Sequence, residues 1–487
     1  MMDFLNAELL APQTDEYQLK MAQGDIELGK EHHQAVFHGF YRRNPLDGGF
    51  GIFCGLESLK VLLKNFRFDE KYIQYLGKKR TPKGKPMFRK PFLDYLRNFK
   101  WTGKVYAVPE GSVVFPHMPL FRVEAPLPQC RLFESIALTL VNFPTFVATK
   151  AARICFATGG SPLIEMALRR APSPEAALII ARSAHIAGCA TTSNELAAYL
   201  MDIPSAGSMA HSWVHSFQKE VDAFRAWAKL YPDMFMGLID TYDSIPGAEK
   251  AILIGKQLSQ DGHEMQGLRL DSGNLLYLAN EARKMLDAVG LHSVKIAATN
   301  DLDEFKITLL RSQNAPIDIY GVGTALAVGT VGGVYKMGAL ELPDGSWISR
   351  IKTSLEEPEK ASLPDPQQVR RYFNADGMME ADQIYSTLLG PDTEGRLFNP
   401  NTRSRGKAIP TGMRYEDLLI EICNGQGEVC HETRTVGEIR NHTAKSLASL
   451  NTGAKLLANH WSYPAGMGPK LHQLRESLIF EASNSID

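Results

Sequence analysis

Between Pro232 and Gly338 four short apolar runs, MFMGLID, GLRLD, VKIAAT and IDIYGVG, alternate with three segments of helical character, GAEKAILIGKQLSQ, LLYLANEARKMLDAVG and DEFKITLLRSQ. No other feature of the chain limits its fold as tightly. Runs that are apolar throughout suit parallel strands covered on both faces. Their repeat of roughly 30 residues is that of a barrel fitting eight strand–helix units into ~250 residues. Each run also ends in polar or glycine residues: Asp240, Asp271, Asn300 with Asp301, and Gly321 to Thr324. In parallel α/β folds the carboxyl ends of the strands carry the chemistry. One Asp in such a place is as readily a helix cap; several on one edge point to a site.

Around this core the sequence predicts an α+β domain over 1–135, the α/β barrel over 136–355 and a C-terminal region over 356–487 that packs back on the N-terminal domain. RKPFLDYLRNFKWTG reads as a helix ending at Gly103, and VYAVPEGSVVFPHMPLFRVEAP as strands cut by Pro109, Pro116 and Pro119. From Leu132 the pattern turns helical, through LFESIALTLVNFPTFVATKAARICFAT, PEAALIIARSAHIAG and TSNELAAYLMD. A Pro- and Glu-rich stretch near Glu356 marks the second boundary. Beyond it YEDLLIEI and EVCHETRT read as strands, accompanied by two helical stretches.

Composition narrows the function. The 487 residues carry 53 Lys plus Arg against 54 Asp plus Glu, with 44% hydrophobic and 22% charged residues. That is enough apolar material for a sizeable core, and the balance lacks the basic stripe a general nucleic-acid binder needs. The best candidate for a membrane span, ALTLVNFPTFVAT, is interrupted by Asn142 and Pro144. The opening MMDFLNAELLAPQTDEYQLK has no basic start followed by an apolar block, so no secretory signal is expected. Six scattered cysteines without a C-x-x-C pair fit reduced thiols in a cytoplasmic protein, and Cys423 with Cys430-His431 lacks the second pair of ligands for zinc.

Several constellations carry chemistry. In IDIYGVGTALAVGTVGGVYK, Gly321 and Gly323 follow a strand, where backbone N–H groups can approach a phosphate. Leu326 stands where a dinucleotide fingerprint needs glycine, and no Gly-Lys-Ser/Thr follows, so a monophosphorylated sugar is the better fit. In GLRLDSGN, Arg269 and Asp271 are two apart on a strand and so face one side; Arg269 can clamp a carboxylate or phosphate, and Asp271 can bind ribose hydroxyls or a hydrated Mg²⁺. The alternative for that pair is a structural ion pair. GSMAHSWVHSF places His211 and His215 four apart, but Ser212 excludes the zinc-protease pattern; a neutral imidazole beside a phosphate cradle could accept a phosphoryl group. Lys150, Arg153, Arg169 and Arg170 add cations suited to polyphosphate, or simply to solvent.

These motifs, taken in order from TDEYQLKMAQG through YRRNPLDGGFGIFCGLE, FPTFVATKAARI, GSMAHSWVHSF, RLDSGNL, GVGTAL and KTSLEEPEKASLPDPQQVRR to NHWSYPAGMGPKLHQLRESLI, resemble the nicotinate phosphoribosyltransferases over nearly the whole chain. The resemblance implies an irregular α/β barrel, an N-terminal α+β domain and a homodimer with shared active sites. It implies conversion of nicotinate and phosphoribosyl pyrophosphate to nicotinate mononucleotide and pyrophosphate, with ATP as co-substrate acting through a phosphohistidine and with Mg²⁺. By position it assigns His211 as the phosphorylated histidine, Tyr17 as the ring-stacking tyrosine (often from the partner subunit), and Ser208 and Arg269 as nicotinate contacts. Asp271 and Asp301 match the carboxylates around ribose and Mg²⁺, and Gly321, Gly323 and Thr324 the 5-phosphate loop; Lys150, Arg153 and Arg169 are expected among the substrate contacts. The chain departs from the family pattern at Met166 and Ala167 (usually Phe-Gly), Thr191 (Gly), Asn274 (Asp) and Asn300 (Gly or Ser). Phosphoribosyl transfer to nicotinamide or quinolinate, or a catalytically silent binding protein, are the alternatives.

Overall fold

The computed structural model describes residues 5–342, 344–353, 357, 360–402 and 405–484. Contacts between elements divide the chain into two compact units, one formed by 1–149 with 329–487 and the other by Lys150–Val328. These divisions fall inside the boundaries at 135/136 and 355/356 expected from the sequence, and the Pro- and Glu-rich boundary at Glu356 itself lies outside the described residues.

The Lys150–Val328 unit holds six parallel strands: β1 (Leu163–Glu165), β2 (Thr191–Thr192), β3 (Met236–Leu238), β4 (Gly267–Leu270), β5 (Lys295–Ala298) and β6 (Ile319–Val322). Their order is β2-β1-β6-β5-β4-β3. Each strand therefore lies beside its neighbour in sequence and β6 returns to β1, so the sheet is circular in connectivity except between β2 and β3, which form no ladder. This is the irregular α/β architecture expected, built from six strands instead of the eight of a regular barrel. β3 to β6 are the four apolar runs read from the sequence; β1 and β2 fall in the stretch read there as helical.

The strand ends show why so many carboxylates gather on one edge. In the three turns after β3, β4 and β5 a second polar residue follows two or three positions on and caps the next helix. Asp243 accepts from the Ile245 N–H, Asn274 from the Tyr277 N–H, and Asp303 from the N–H groups of Phe305 and Lys306. The capping role thus falls to Asp243, Asn274 and Asp303, leaving Asp240, Asp271 and Asp301 for other work. Asn274, one of the departures from the family pattern, caps as an Asp would.

In the other unit, an antiparallel sheet joins N-terminal strands Gln34–Tyr41, Phe121–Pro126 and Lys104–Ala107 to the later strands Gly333–Glu341, Trp347–Ser349 and Ile420–Cys423. A second six-stranded sheet is made wholly from the C-terminal region and is pinned by a buried Arg371–Asp382 pair at 2.6 Å, to which the Tyr463 hydroxyl also donates. EVCHETRT forms no strand beyond an isolated bridge at Val429, contrary to the alternation read there.

The helix Leu127–Thr158 runs through Pro144 unbroken. Proline leaves the carbonyl four residues back without its usual donor. That carbonyl, on Leu140, lies against Gly55, where a Cβ would come within 2.2 Å of it. Thr145 and Thr149 of the same helix accept from the backbone N–H groups of Cys54 and Ile52. By length and composition this helix could cross a membrane, but 67% of its most apolar window is buried within the protein.

Candidate active site

At the carboxyl edge of the parallel sheet lies a cavity of about 310 Å³ whose walls include Arg169, Arg170, Ser208, Arg269, Asp271, Thr299, Asp301, Gly323 and Thr324. Arg269 is on β4 and Asp271 just past its end, so the alternation of a strand points both toward this cavity. One terminal nitrogen of Arg269 donates to the Ser208 hydroxyl at 2.8 Å and the Met209 carbonyl at 3.2 Å. The other stands 3.7 Å from an Asp271 oxygen, and Nε is buried without a partner among the described residues. Burial pulls the Arg269 pKa down, while Asp271 and Asp240 support the charged form. A guanidinium remains protonated in any case, so Nε is an unsatisfied donor on a largely enclosed cation in the cavity wall.

Asp271 is fixed from two sides. Its Oδ1 accepts from the Thr299 hydroxyl at 2.5 Å, and its backbone N–H donates to Asp240 Oδ2 at 3.0 Å. Ser272 donates its hydroxyl to the same Asp240 oxygen at 2.6 Å, whereas Asp240 Oδ1 is buried without a partner among the described residues. His211 opens the short helix His211–His215 with Nε2 at 3.6 Å from Asp271 Oδ2 and Nδ1 at 3.1 Å from the Thr241 hydroxyl.

Opposite these groups, Gly323 and Thr324 start the turn after β6. A Cβ on Gly323 would lie 2.9 Å from the Met166 carbonyl, and one on Gly321 would meet Thr299 Cγ2 at 2.7 Å and Met166 Sδ at 2.9 Å. Glycine is required there because Met166 packs directly on the strand. Asp301 adopts φ 38, a left-handed conformation that Asp tolerates better than most residues, and Lys306 donates to its carbonyl at 2.7 Å. Glu165, at the end of β1, is a buried carboxyl whose pKa is raised by that burial; it accepts from the Thr192 hydroxyl at 2.5 Å and from the Ala167 N–H. It ties the ends of β1 and β2 together behind Met166.

Asp271 and Asp301 are the hard oxygen donors of the cavity. No cluster of three or more ligating side chains exists among the described residues. That donor set fits Mg²⁺, which usually keeps several waters and takes one or two carboxylates plus substrate phosphates.

The structure thus brings Ser208, Arg169, Arg269, Asp271, Asp301, Gly323, Thr324 and His211 together, with Gly321 in the strand beneath. Lys150 and Arg153 sit elsewhere: they face the buried carboxylate of Glu304 at 2.6 and 3.1 Å and do not line the cavity. Tyr17 lies on the helix Glu16–Glu27 of the other unit, about half exposed. Sequence reasoning passed over Thr299, Thr241 and Glu165 and read Asp240 only as a strand end. Thr299 and Thr241 each follow within three residues of their strand's last position, a signal that the search for charged residues missed.

A family pattern described as the nicotinate phosphoribosyltransferase (NAPRTase) N-terminal domain matches residues 13–142, and the corresponding C-terminal domain matches 366–475. A nicotinate phosphoribosyltransferase of Bacillus subtilis is 34% identical over 486 residues, covering 98% of this chain and 97% of that protein. One from Mus musculus is 29% identical over 525 residues, with 96% of each covered. Among solved structures, human nicotinic acid phosphoribosyltransferase superposes with a TM-score of 0.82 at 28% identity, over 96% of this chain and 99% of that one. A nicotinate-nucleotide pyrophosphorylase from Pyrococcus furiosus shares the fold, with a TM-score of 0.69 at 21% identity over 91% and 97% of the two chains.

Proposed function

Because the chain belongs to the nicotinate phosphoribosyltransferase family, we propose that its sheet edge joins nicotinate to phosphoribosyl pyrophosphate, giving nicotinate mononucleotide and pyrophosphate for NAD salvage. The observation that supports this reading best is that Arg269 and Asp271 line one cavity together with a glycine turn and two further arginines, while His211 stands beside Asp271. The pyridine nitrogen forms a bond to the anomeric carbon as the bond from that carbon to pyrophosphate breaks. Positive charge develops on the sugar, and preorganised groups that match it are the main source of rate.

Each side chain has a part. The unsatisfied Nε edge of Arg269 receives the nicotinate carboxylate and favours it over the neutral carboxamide. Asp271, held by Thr299 and Asp240, places its carboxylate beside the pentose and stabilises the cationic transition state. Gly323 and Thr324, with Arg169 and Arg170 across the cavity, take the 5-phosphate. Asp271 and Asp301 would hold Mg²⁺, which would supply charge neutralisation for the departing pyrophosphate. Tyr17 offers an aromatic face to the pyridine ring in the site of a partner subunit. His211 takes the γ-phosphoryl group of ATP, coupling ATP hydrolysis to synthesis.

The test is pyrophosphate release from nicotinate and phosphoribosyl pyrophosphate, with and without ATP, for the chain and its His211→Ala variant. The expected result is release by both proteins, with stimulation by ATP confined to the unaltered chain. Absence of release by the unaltered chain rejects the transferase reading; equal stimulation of both rejects the phosphohistidine.

A further inference from the structure

Thr241 directly follows Asp240 at the end of β3, and the two residues reach different members of the site. Asp240 holds the Asp271 backbone at 3.0 Å, while the Thr241 hydroxyl lies 3.1 Å from His211 Nδ1. The other ring nitrogen, Nε2, is 3.6 Å from Asp271 Oδ2, beyond hydrogen-bond reach. Nδ1 is therefore engaged and Nε2 is the nitrogen open to a reactant. Which nitrogen of an imidazole carries the proton is set by the bond the other one makes.

We propose that Thr241 is a positioning residue for His211: its hydroxyl accepts a hydrogen bond from Nδ1–H and leaves Nε2 as the bare nucleophile on the side of Asp271. The inference rests on the phosphohistidine reading and names the reacting nitrogen. The Nε2 lone pair forms the N–P bond to the γ-phosphorus of ATP as the P–O bond to ADP breaks. ADP leaves with that electron pair, and the Nδ1 proton stays on the ring, held by Thr241. Thr241 touches neither phosphoryl group nor sugar in this scheme. Its effect is to fix ring rotation and tautomer. Thr241 is half-buried, so replacing its hydroxyl by a methyl group leaves no enclosed polar atom behind.

The test compares the full-length chain with its Thr241→Val and Thr241→Ser variants. Nitrogen–proton correlation spectra of the ¹⁵N-labelled His211 ring report the tautomer, and incorporation of radiolabelled phosphoryl group from ATP reports the nucleophile. The unaltered chain and the Ser variant should show the proton on Nδ1. The Val variant should move it to Nε2 and take up label about tenfold more slowly, the effect of one hydrogen bond. A Val variant with the original tautomer, or with an unchanged rate of labelling, overturns the proposal, as does an unaltered chain protonated on Nε2. If the unaltered chain has the Nδ1 proton and takes up no label, the phosphohistidine reading falls, while a shifted tautomer in the Val variant still upholds the role of Thr241 in fixing the ring.

Discussion

Replacing Arg269 by lysine isolates the recognition of the nicotinate carboxylate. In the structure one terminal nitrogen of Arg269 is committed to Ser208 and Met209, and Nε is buried without a partner among the described residues. Nε and the remaining terminal nitrogen form an edge that can meet a carboxylate with two parallel bonds. A hydrogen bond to a charged group contributes about 1.5–3 kcal/mol. Lysine keeps the charge and can make one such bond, so the variant should lose one bond's contribution. That corresponds to a rise of about 10- to 150-fold in the nicotinate KM. Because the cation is retained, Asp271 and Asp240 keep a counter-charge, and kcat at saturating nicotinate should change by only a few-fold. Alanine is the less informative change, since it would strip both carboxylates of their neighbour. The assay is initial-rate pyrophosphate release with nicotinate varied at saturating phosphoribosyl pyrophosphate, then the reverse. An unchanged KM for nicotinate, or a rise confined to phosphoribosyl pyrophosphate, would refute the assignment.

Further outcomes follow from the same geometry. Asn274→Asp should leave the denaturant midpoint unaltered because both residues cap the helix Leu275–Asp287, whereas Asn274→Ala should lower stability by about 1 kcal/mol. Arg153→Met removes one of two cations from the buried Glu304, which Lys150 still neutralises, so chemical denaturation should report a loss of about 1.5–3 kcal/mol, that of one hydrogen bond to a charged group. The fraction that folds should keep its KM for phosphoribosyl pyrophosphate; a steep rise there would make Arg153 a substrate contact after all. His117 is buried, its Nε2–H donating to the Asn401 side-chain oxygen at 2.7 Å, and burial lowers its pKa from 6.5 to about 4. The unfolded chain then binds a proton that the folded chain refuses. Stability falls as pH drops from about 6.5 toward 4, by about 3 kcal/mol for this group, and levels off below. Denaturation curves across that interval should flatten in His117→Gln, and an equally steep decline in the variant would assign the acid lability to other groups.

What could be read from the residues, and what could not, follows from the range of the interactions. β3 to β6 were legible because each is an apolar run closed by a polar turn. β1 has three residues and β2 two, too few to display any period between the helices that flank them. Arg269, Asp271, Asp301 and the Gly323–Thr324 turn were legible because strand alternation and strand polarity are local rules, whereas Ser208 was reached only through the family resemblance. Lys150 and Arg153 were not: a basic pair on a helix looks the same whether its partner is a substrate phosphate or a carboxylate 151 residues along the chain, as Glu304 is from Arg153. Pro144 marked a break by local rules, and the helix continues because a distant glycine, Gly55, makes room for the freed carbonyl. Thr241 carries no charge, so its place beside His211 emerged only from the fold.

The central claim is that one edge of the parallel sheet grips an activated pentose while a pyridine carboxylate displaces its pyrophosphate. A crystal of the full-length chain soaked with a non-hydrolysable analogue of phosphoribosyl pyrophosphate and nicotinate tests it most directly. The account predicts the carboxylate on the Nε edge of Arg269, the 5-phosphate at Gly323 and Thr324, and Asp271 against the pentose. Density for both ligands elsewhere, with Arg269 and Asp271 turned away from them, would contradict it.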